Sequence, residues 1–272
     1  SILMHQGLNY GIDFRGGTNI QIRFKEVPNL DQLRNFFSEQ DLGNVMLQTF
    51  GAVEDREILL GLSVDNPLGT GEKLTAGLRE MLQPNYPEME IRRIETIGPK
   101  VGDELKTSAL QAILIALGLV LIYITFRFQW RQGIAAIITL LHDVMVVVGI
   151  FSIFDKEFTL PVIAALLTVV GYSLNDTIVI FDRIRENISK FRKRELLPLI
   201  NQSVTETLSR TLLTSGTTLM VVLALVFLGG EIIHDFAFAL LVGVLIGTYS
   251  SIYVASPTVL WLTKIAPPKT SD

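Results

Sequence analysis

The stretch GIAAIITLLHDVMVVVGIFSIF, residues 133–154, decides the fold, because it is apolar over a length that can cross a bilayer and carries His142 and Asp143 near its centre. At ~1.5 Å of rise per residue, Asp143 lies ~15 Å from either end of such a helix, near the middle of a hydrocarbon layer ~30 Å thick. A charged side chain at that depth costs at least ~2.5–3.5 kcal/mol. The pattern predicts that Asp143 faces other helices or a wet cavity and carries protons, ions or a structural ion pair.

The whole chain has the composition of a membrane protein with a soluble part. Its 272 residues are 49% hydrophobic and 18% charged, with a mean hydropathy of +0.43, which is too apolar for an ordinary soluble domain. Residues 1–106 carry 11 Lys and Arg against 16 Asp and Glu, an acidic balance that argues against nucleic acid as a partner. Because the sequence contains no cysteine, disulfides and thiolate chemistry are excluded.

Residues 11–105 show the order β-α-β-β-α-β, which predicts a small α+β, ferredoxin-like domain. Strands are predicted near residues 18–24, 45–50, 56–64 and 89–97, and helices near 29–40 and 72–82. Gly16 and Gly17 predict a turn into an edge strand, whereas a phosphate-binding loop would need a helix after the glycines. We interpret the domain as a binding or coupling module, and residues 1–10 as the tail of a membrane span that is cut off upstream.

Residues 106–265 are predicted to form a helical membrane bundle. Five apolar runs, each near the ~17–25 residues that a spanning helix needs, lie at about 109–126, 133–154, 158–181, 211–228 and 236–263. Lys and Arg concentrate in the links after the first, third and fifth runs, and only Lys156 lies on the other side. The positive-inside rule then predicts that residues 183–210 and the tail 266–272 are cytoplasmic and that residues 11–105 are outside.

The link over residues 182–210 has a basic first half and an amphipathic second half. Apolar residues recur there at intervals of four, from Leu196 to Leu212. This pattern is typical of a surface that packs against protein or lies at the lipid interface.

Polar residues within the predicted spans are the candidates for chemistry. Asp143 is the main candidate for proton or ion handling, with a permanent interhelical ion pair as the alternative. His142 points ~100° away from it around the helix and need not share its contacts. Asn175 and Asp176 lie nearer the cytoplasmic surface, where Asp176 can be hydrated or can pair with Arg183. An intramembrane aspartyl protease, in which two carboxyls share a proton, is disfavoured because the two aspartates lie at different depths.

Two further groups of small residues lie in the last two spans. One is the hydroxyl-rich stretch 214–218, and the other contains Gly243 and Gly247, followed by Ser250 and Ser251. We interpret both mainly as helix-packing features, although their hydroxyls could also line a proton path.

Several long motifs resemble the SecF family, which belongs to the RND superfamily of proton-driven membrane proteins. They are GIDFRGGT at 11–18, HDV at 142–144, VGYSLNDTIVIFDRIREN at 170–187, RTLLTSGTTL at 210–219 and IGTYSSIYVASP at 246–257. The resemblance covers nearly the whole chain and implies six spans with a periplasmic domain between the first two. Only five spans are complete here, in line with a missing first span.

The resemblance also implies a function. It implies a non-enzymatic, multi-pass subunit of the bacterial inner membrane that pairs with SecD and uses the proton-motive force, with protons as coupling ion and no other cofactor or metal. With the SecYEG channel, it would help draw exported, unfolded polypeptides out on the periplasmic side of the lipid bilayer. Asp143 would be the proton-relay residue, with His142, Asn175, Asp176 and Arg183 as supporting candidates. An RND-type exporter of small molecules or lipids and a passive assembly scaffold are the alternatives, and the exporter would need a larger periplasmic region.

Overall fold

A small α+β domain and a bundle of long helices make up the chain. The computed structural model describes residues 7–40, 42, 45–50, 55–127, 129–191 and 194–265. The β-strands are β1 (Asn9–Tyr10), β2 (Gly17–Arg23), β3 (Val45–Phe50), β4 (Glu57–Leu62), β5 (Glu90–Ile97) and β6 (Glu157–Phe158). The helices are α1 (Ile12–Arg15), α2 (Leu30–Ser38), α3 (Glu72–Leu82), α4 (Pro99–Arg127), α5 (Trp130–Ile153), α6 (Leu160–Lys190), α7 (Leu196–Leu228), α8 (Glu231–Ser250) and α9 (Ser256–Ile265), with a π-helical segment, Ser251–Ala255, between the last two.

The α+β domain has the predicted ferredoxin-like order. Its four-stranded sheet is antiparallel with strand order β3-β4-β2-β5, and α2 and α3 supply a second layer. Ile20 on β2 lies opposite Leu60 on β4 and Ile94 on β5. With Leu74 and Leu78 of α3, it belongs to a core whose side chains are almost fully buried, so the domain has a hydrophobic core of its own.

The prediction that the double-glycine turn leads into an edge strand is wrong. Strand β2 lies between β4 and β5, in the middle of the sheet, because the first strand of this topology pairs with the third and the fourth. Gly17 has φ +149°, and a Cβ atom there would come within 2.5 Å of the Leu62 carbonyl oxygen. The glycine therefore allows β4 to approach the start of β2 closely.

Among the described residues, five helical stretches are apolar enough to cross a membrane by length and composition, as predicted; the fifth, Ile233–Ile265, runs from α8 through the π-helical segment into α9. They extend well beyond the apolar runs, however: α4 begins ten residues before the predicted start of the first span, and α6 continues to Lys190. The amphipathic part of the predicted link 182–210 is the first half of α7, which runs without interruption into the fourth span. Polar extensions of this kind need no lipid, because water and ion pairs satisfy their charged side chains.

The α+β domain is fastened to the bundle at a junction formed by β1 and β6. Strand β1 pairs in parallel with β6, and the Gly11 N–H donates to the Phe158 carbonyl at 3.1 Å. The Leu160 N–H at the start of α6 donates to Asp13 Oδ2 at 3.0 Å, so a side chain from the domain caps a helix of the bundle. The predicted upstream tail, residues 1–10, lies outside the described residues up to residue 6, and the part that is described contains β1. The predicted C-terminal tail, 266–272, also lies outside the described residues.

Helices α6 and α8 pack closely along the glycines noted in the sequence. A Cβ atom at Gly243 would lie 2.0 Å from Val169 Cγ2, and one at Gly247 would lie 3.1 Å from Ser173 Cβ. The two glycines thus let the helix backbones approach each other. This contact brings the polar residues of α8 next to those of α6.

Candidate functional site

Asp143 lies in the interior of the bundle, with 1% of its surface exposed. Its Oδ2 atom accepts hydrogen bonds from the Ser173 hydroxyl at 2.5 Å and the Ser250 hydroxyl at 2.8 Å. Its Oδ1 atom lies 2.9 Å from His142 Nδ1. Within the described residues no Lys or Arg forms an ion pair with this carboxyl, and His142, which contacts it, lies on the same helix, so the permanent interhelical ion pair of the alternative interpretation is not found there.

Three helices bring these groups together. Asp143 projects from α5, Ser173 from α6 and Ser250 from the end of α8, just before the π-helical segment. Gly247 makes the approach of α8 possible, because its missing side chain leaves room for Ser173. A buried carboxyl held by hydroxyls from two other helices is a polar centre whose charge affects the packing of all three.

His142 contacts Asp143 directly, contrary to the expectation that the two side chains need not share contacts. Backbone geometry separates the directions of neighbouring residues by ~100°, but both side chains are long enough to turn back along the helix surface. The His142 side chain is 34% exposed on this chain. It therefore connects the buried carboxyl with the outer surface of α5.

Asp176 forms a second buried polar centre, nearer the end of the bundle that lies away from the α+β domain. It is 2% exposed, and its Oδ2 accepts a hydrogen bond from Ser215 on α7 at 3.3 Å. The Ser215 and Thr248 hydroxyls lie 2.7 Å apart. Ser173 and Asp176 are one turn apart on α6. The two aspartates therefore lie at adjoining levels of a row of polar side chains between α6 and α8, which we call the polar seam.

The remaining two candidates lie at a cavity beyond Asp176. Asn175 is exposed there, and Arg183 forms ion pairs with Glu206 at 2.5 Å and Glu186 at 2.6 Å. Pairing of Arg183 with Asp176, considered in the sequence analysis, is therefore not what the structure contains. The cavity has a volume of about 650 Å³ and is lined by Asn175, Ile178, Val179, Asp182, Arg183, Glu186, Glu206, Thr207 and Arg210.

Two more buried hydroxyls lie close to Asp176 and Ser215 along the chain: Thr177 follows Asp176 on α6, and Thr211 lies one turn before Ser215 on α7. Thr177 and Thr211 are 1% and 2% exposed, and their hydroxyls have no hydrogen-bond partner among the described residues. Buried polar groups without a protein partner are generally satisfied by water. Buried polar side chains therefore continue from Asp143 to the level of Asp176, Thr177 and Thr211.

The opposite direction from Asp143, towards the α+β domain, is apolar. Val147 and Phe151 of α5 pack with Phe158, Val162 and Val169, all of them 9% exposed or less. A proton cannot pass along side chains of this kind, because they offer neither donor nor acceptor atoms. Buried polar side chains therefore lie on the Arg183 side of Asp143, whereas the side towards the α+β domain is apolar.

A charged cluster that sequence reasoning missed lies at the junction of the domain and the bundle. The pKa of Glu157 is raised from 4.5 to about 7, mainly by burial and then by the negative charges of Asp235 and Asp13, while Arg15 lowers it. Glu157 Oε1 is buried without a hydrogen-bond partner among the described residues. Lys156 pairs with Asp235 at 2.6 Å. The three carboxyls come from distant parts of the sequence, so no local pattern could reveal them.

Other contributors were also beyond a reading of single spans. Thr248, Glu206 and Arg210 line the seam or its cavity, but each lies in a stretch that looks like ordinary helix. Within the described residues no group of three or more His, Cys, Asp or Glu side chains is arranged to hold a metal ion. The arrangement consists of two buried clusters of carboxyl and hydroxyl groups, one at Asp143 and one at Asp176.

Comparison with known proteins gives a consistent result. Two family profiles match: "Protein export membrane protein SecD/SecF, C-terminal" over residues 78–265 and "SecD/SecF GG Motif" over residues 1–26. The protein translocase subunit SecF of Desulfurispirillum indicum is 50% identical over 256 residues, which cover 92% of this chain and 81% of that protein. That of Pseudomonas aeruginosa is 41% identical over 271 residues, which cover 98% and 87%.

A solved structure is similar over the same range. The crystal structure of SecDF from Thermus thermophilus, a translocon-associated membrane protein, matches with a TM-score of 0.84 and 40% sequence identity. The match covers 97% of this chain and 36% of that one, so the chain spans about a third of the length of the SecDF chain.

Proposed function

The chain belongs to the SecD/SecF family of protein-export membrane proteins, as a SecF-type subunit of the Sec protein translocase, and on that basis we propose that it couples proton movement through Asp143 to polypeptide export. The observation that carries this proposal is the buried carboxyl that hydroxyls of two other helices hold, without a Lys or Arg partner among the described residues. A carboxyl that faces the interior of a membrane bundle without a fixed cation is a functional residue by default, and proton relay is the role that we propose for it.

The route of the proton follows from the polarity of the seam. We propose that the seam from Asp143 past Ser215 and Asp176 connects to the cavity at Arg183, on the cytoplasmic side. The apolar side chains packed around Phe151, which we call the apolar plug, separate Asp143 from the side of the α+β domain in this conformation. Coupling then requires a second conformation, in which the plug opens and the seam closes.

The energy available is sufficient for such a change. One elementary charge that crosses ~150 mV is worth ~3.5 kcal/mol, which shifts a two-state equilibrium by a few hundredfold. Neutralising Asp143 changes the electrostatics where α5, α6 and α8 meet, so the helix packing is the element that responds. Because β1 and β6 fasten the α+β domain to the outer ends of α5 and α6, a shift of these helices moves the domain.

The proposed setting is the bacterial inner membrane, with SecD as the partner subunit and SecYEG as the channel. We propose that residues 11–105 are periplasmic and that residues 183–210 and the C-terminus are cytoplasmic. The distribution of Lys and Arg supports this orientation. Single cysteines in place of Glu80 and Lys190, both exposed, test it in a chain that has none of its own. An impermeant thiol reagent should label position 80 in spheroplasts. Labelling of position 190 instead would show that the proposed orientation is wrong.

The central test replaces Asp143 by Asn in the complex with SecD, reconstituted in proteoliposomes with a pH gradient. Asn keeps the size of the side chain and one acceptor oxygen for the serine hydroxyls, but its other polar atom is a donor NH2 group and it cannot change charge. We expect substrate-dependent proton flux and proton-driven export to be lost, while the assembly of the complex is kept. The same substitution at Asp103, exposed on α4, is the matched control and should leave both activities unchanged.

The alternatives predict different results. If Asp143→Asn left proton-driven export intact, a passive scaffold would be the better description. We also expect this chain without SecD to conduct no coupled protons, because His142 and Asn175 reach its outer surface, where a partner would complete the site. An Asp143-dependent flux through the single chain would show a self-contained carrier instead.

A further inference from the structure

Two hydroxyls donate to the same oxygen of Asp143, but they differ in what else they can bond. Ser173 Oγ has Asp143 Oδ2 at 2.5 Å as its acceptor. Ser250 Oγ lies 2.8 Å from Asp143 Oδ2 and also 3.1 Å from the Gly247 carbonyl oxygen. A serine hydroxyl carries one proton, so Ser250 donates to one of these acceptors at a time.

From this geometry we propose that Ser250 is a positioning residue that reads the protonation state of Asp143. When the carboxylate is ionised, Ser250 donates to its Oδ2 atom. When Oδ2 carries a proton, that proton is donated to Ser250 Oγ, and the Ser250 proton turns to the Gly247 carbonyl. The number of protons on Ser250 is unchanged, and only the direction of its hydrogen bond reverses.

The hydrogen-bonding inventory favours Ser250 over Ser173 for this role. A protonated Oδ2 needs an acceptor, and a hydroxyl that accepts must place its own proton elsewhere. Ser250 has the Gly247 carbonyl on the preceding turn for that purpose. The reversal therefore leaves no buried donor or acceptor unsatisfied, which would otherwise cost free energy.

The backbone after Ser250 supplies a route from this hydrogen bond to helix packing. Residues Ser251–Ala255 form a π-helical segment, and the Ser256 hydroxyl donates to the Ser251 carbonyl at 3.3 Å. A π turn holds one residue more than an α turn, and such turns are frequent at functional sites. If the segment relaxed to α-helix, α8 would rotate by ~100° relative to α9, and Ser250 would leave Asp143. The hydrogen bond to Asp143 thus favours the π conformation.

The experiment compares Ser250→Ala with Ser251→Ala in the SecD-containing complex. Ser251 is the neighbouring residue, is equally buried, and donates to the Thr248 carbonyl at 2.9 Å rather than to Asp143. Infrared difference spectra recorded across a pH titration identify the carboxyl bands of Asp143, because these bands are absent from Asp143→Asn. We expect Ser250→Ala to shift those bands in both charge states and Ser251→Ala to leave them in place.

Transport provides the second measurement. We expect coupled proton flux to fall about tenfold or more in Ser250→Ala, the factor that one hydrogen bond to a charged group is worth, and to stay near wild type in Ser251→Ala. Ser250→Cys, which keeps a weak donor of similar size, should lie between wild type and Ser250→Ala.

The outcomes separate this inference from the proposed function on which it rests. Unchanged Asp143 bands in Ser250→Ala would overturn the role of Ser250, even if Asp143→Asn abolished flux. If Ser250→Ala shifted the bands while Asp143→Asn kept normal flux, the contact between Ser250 and Asp143 would be supported and proton coupling through Asp143 would be refuted. An equal loss of flux in the two serine variants with no band shift would also overturn the role, because it would indicate a packing effect.

Discussion

Glu157 makes the junction between domain and bundle sensitive to pH. Burial, together with the negative charges of Asp235 and Asp13, raises its pKa from 4.5 to about 7. Below pH 4.5 the side chain is neutral whether the junction is closed or open, so Glu157 does not lower the stability of the closed junction. Between pH 4.5 and about 7, Glu157 is ionised in the open junction and must take up a proton when the junction closes. Above about pH 7, the closed junction must instead hold the charged side chain beside Asp235 and Asp13. The stability of the junction is therefore greatest below pH 4.5 and falls as the pH rises through 7.

The magnitude follows from the difference between the two pKa values. About 2.5 pH units correspond to ~3.4 kcal/mol at ~1.36 kcal/mol each, which we reduce to ~2–3 kcal/mol because part of the side chain meets water. Replacing Glu157 by Gln removes the charge and with it the pH dependence. We expect Glu157→Gln to stabilise the junction by this amount at pH 8 and to have little effect at pH 4.5.

Hydrogen exchange of the Gly11 amide measures the junction directly, because this N–H donates to the Phe158 carbonyl across it. After correction for the intrinsic exchange rate, wild-type protection should fall ~30- to 150-fold between pH 4.5 and 8. Protection in Glu157→Gln should stay constant. Glu80→Gln, at an exposed position of α3, is the control and should behave like wild type. A wild-type profile that runs parallel to that of Glu157→Gln would refute the argument.

Three further predictions concern packing and charge. Gly243→Ala would place a Cβ atom 2.0 Å from Val169 Cγ2 and should destabilise the bundle by several kcal/mol in thermal unfolding, whereas Gly149→Ala, with no atom within 4 Å, should be neutral or slightly stabilising. Asp13→Ala removes the cap on α6 and should cost ~1 kcal/mol, measured at pH 4.5, where Glu157 is neutral. Glu206→Gln weakens the ion pair with Arg183 and should cause a small loss of stability in thermal unfolding at low salt. That loss should shrink in concentrated salt, and a salt-independent loss would point to the hydrogen bonds of Glu206 instead.

The α+β domain shows what periodicity can and cannot predict. Alternating apolar residues such as Ile20 and Ile22 correctly indicated strands, because one face of a strand is buried and the other is not. They could not indicate that β2 is central, since its neighbours in the sheet lie about 40 and 75 residues further along the chain. Likewise, apolar runs identified the five long helices but not their ends, which depend on ion pairs such as that between Arg183 and Glu206.

The candidate site follows the same division. Asp143 could be singled out from sequence, because a carboxyl in the middle of an apolar helix is costly wherever its partners are. Its partner Ser250 lies 107 residues away. The π-helical segment beside Ser250 also changes the face of the helix on which the neighbouring residues lie, compared with a regular α-helix. The contact of His142 with Asp143 depends on side-chain rotamers, which the backbone angle between neighbours does not determine.

The pairing of β1 with β6 also sets an order of events during synthesis. The residues that pair are separated by 148 positions, as Asn9 with Glu157 and Tyr10 with Phe158. At ~5–20 residues per second, β1 leaves the ribosome roughly 7–30 s before its partner exists. The α+β domain has its own core and can fold in that interval, but its attachment has to wait until α5 has crossed the membrane and the loop after it has reached the same side. A chain whose α5 inserts in the wrong direction can therefore never close this junction, and exposed β1 would mark it as misassembled.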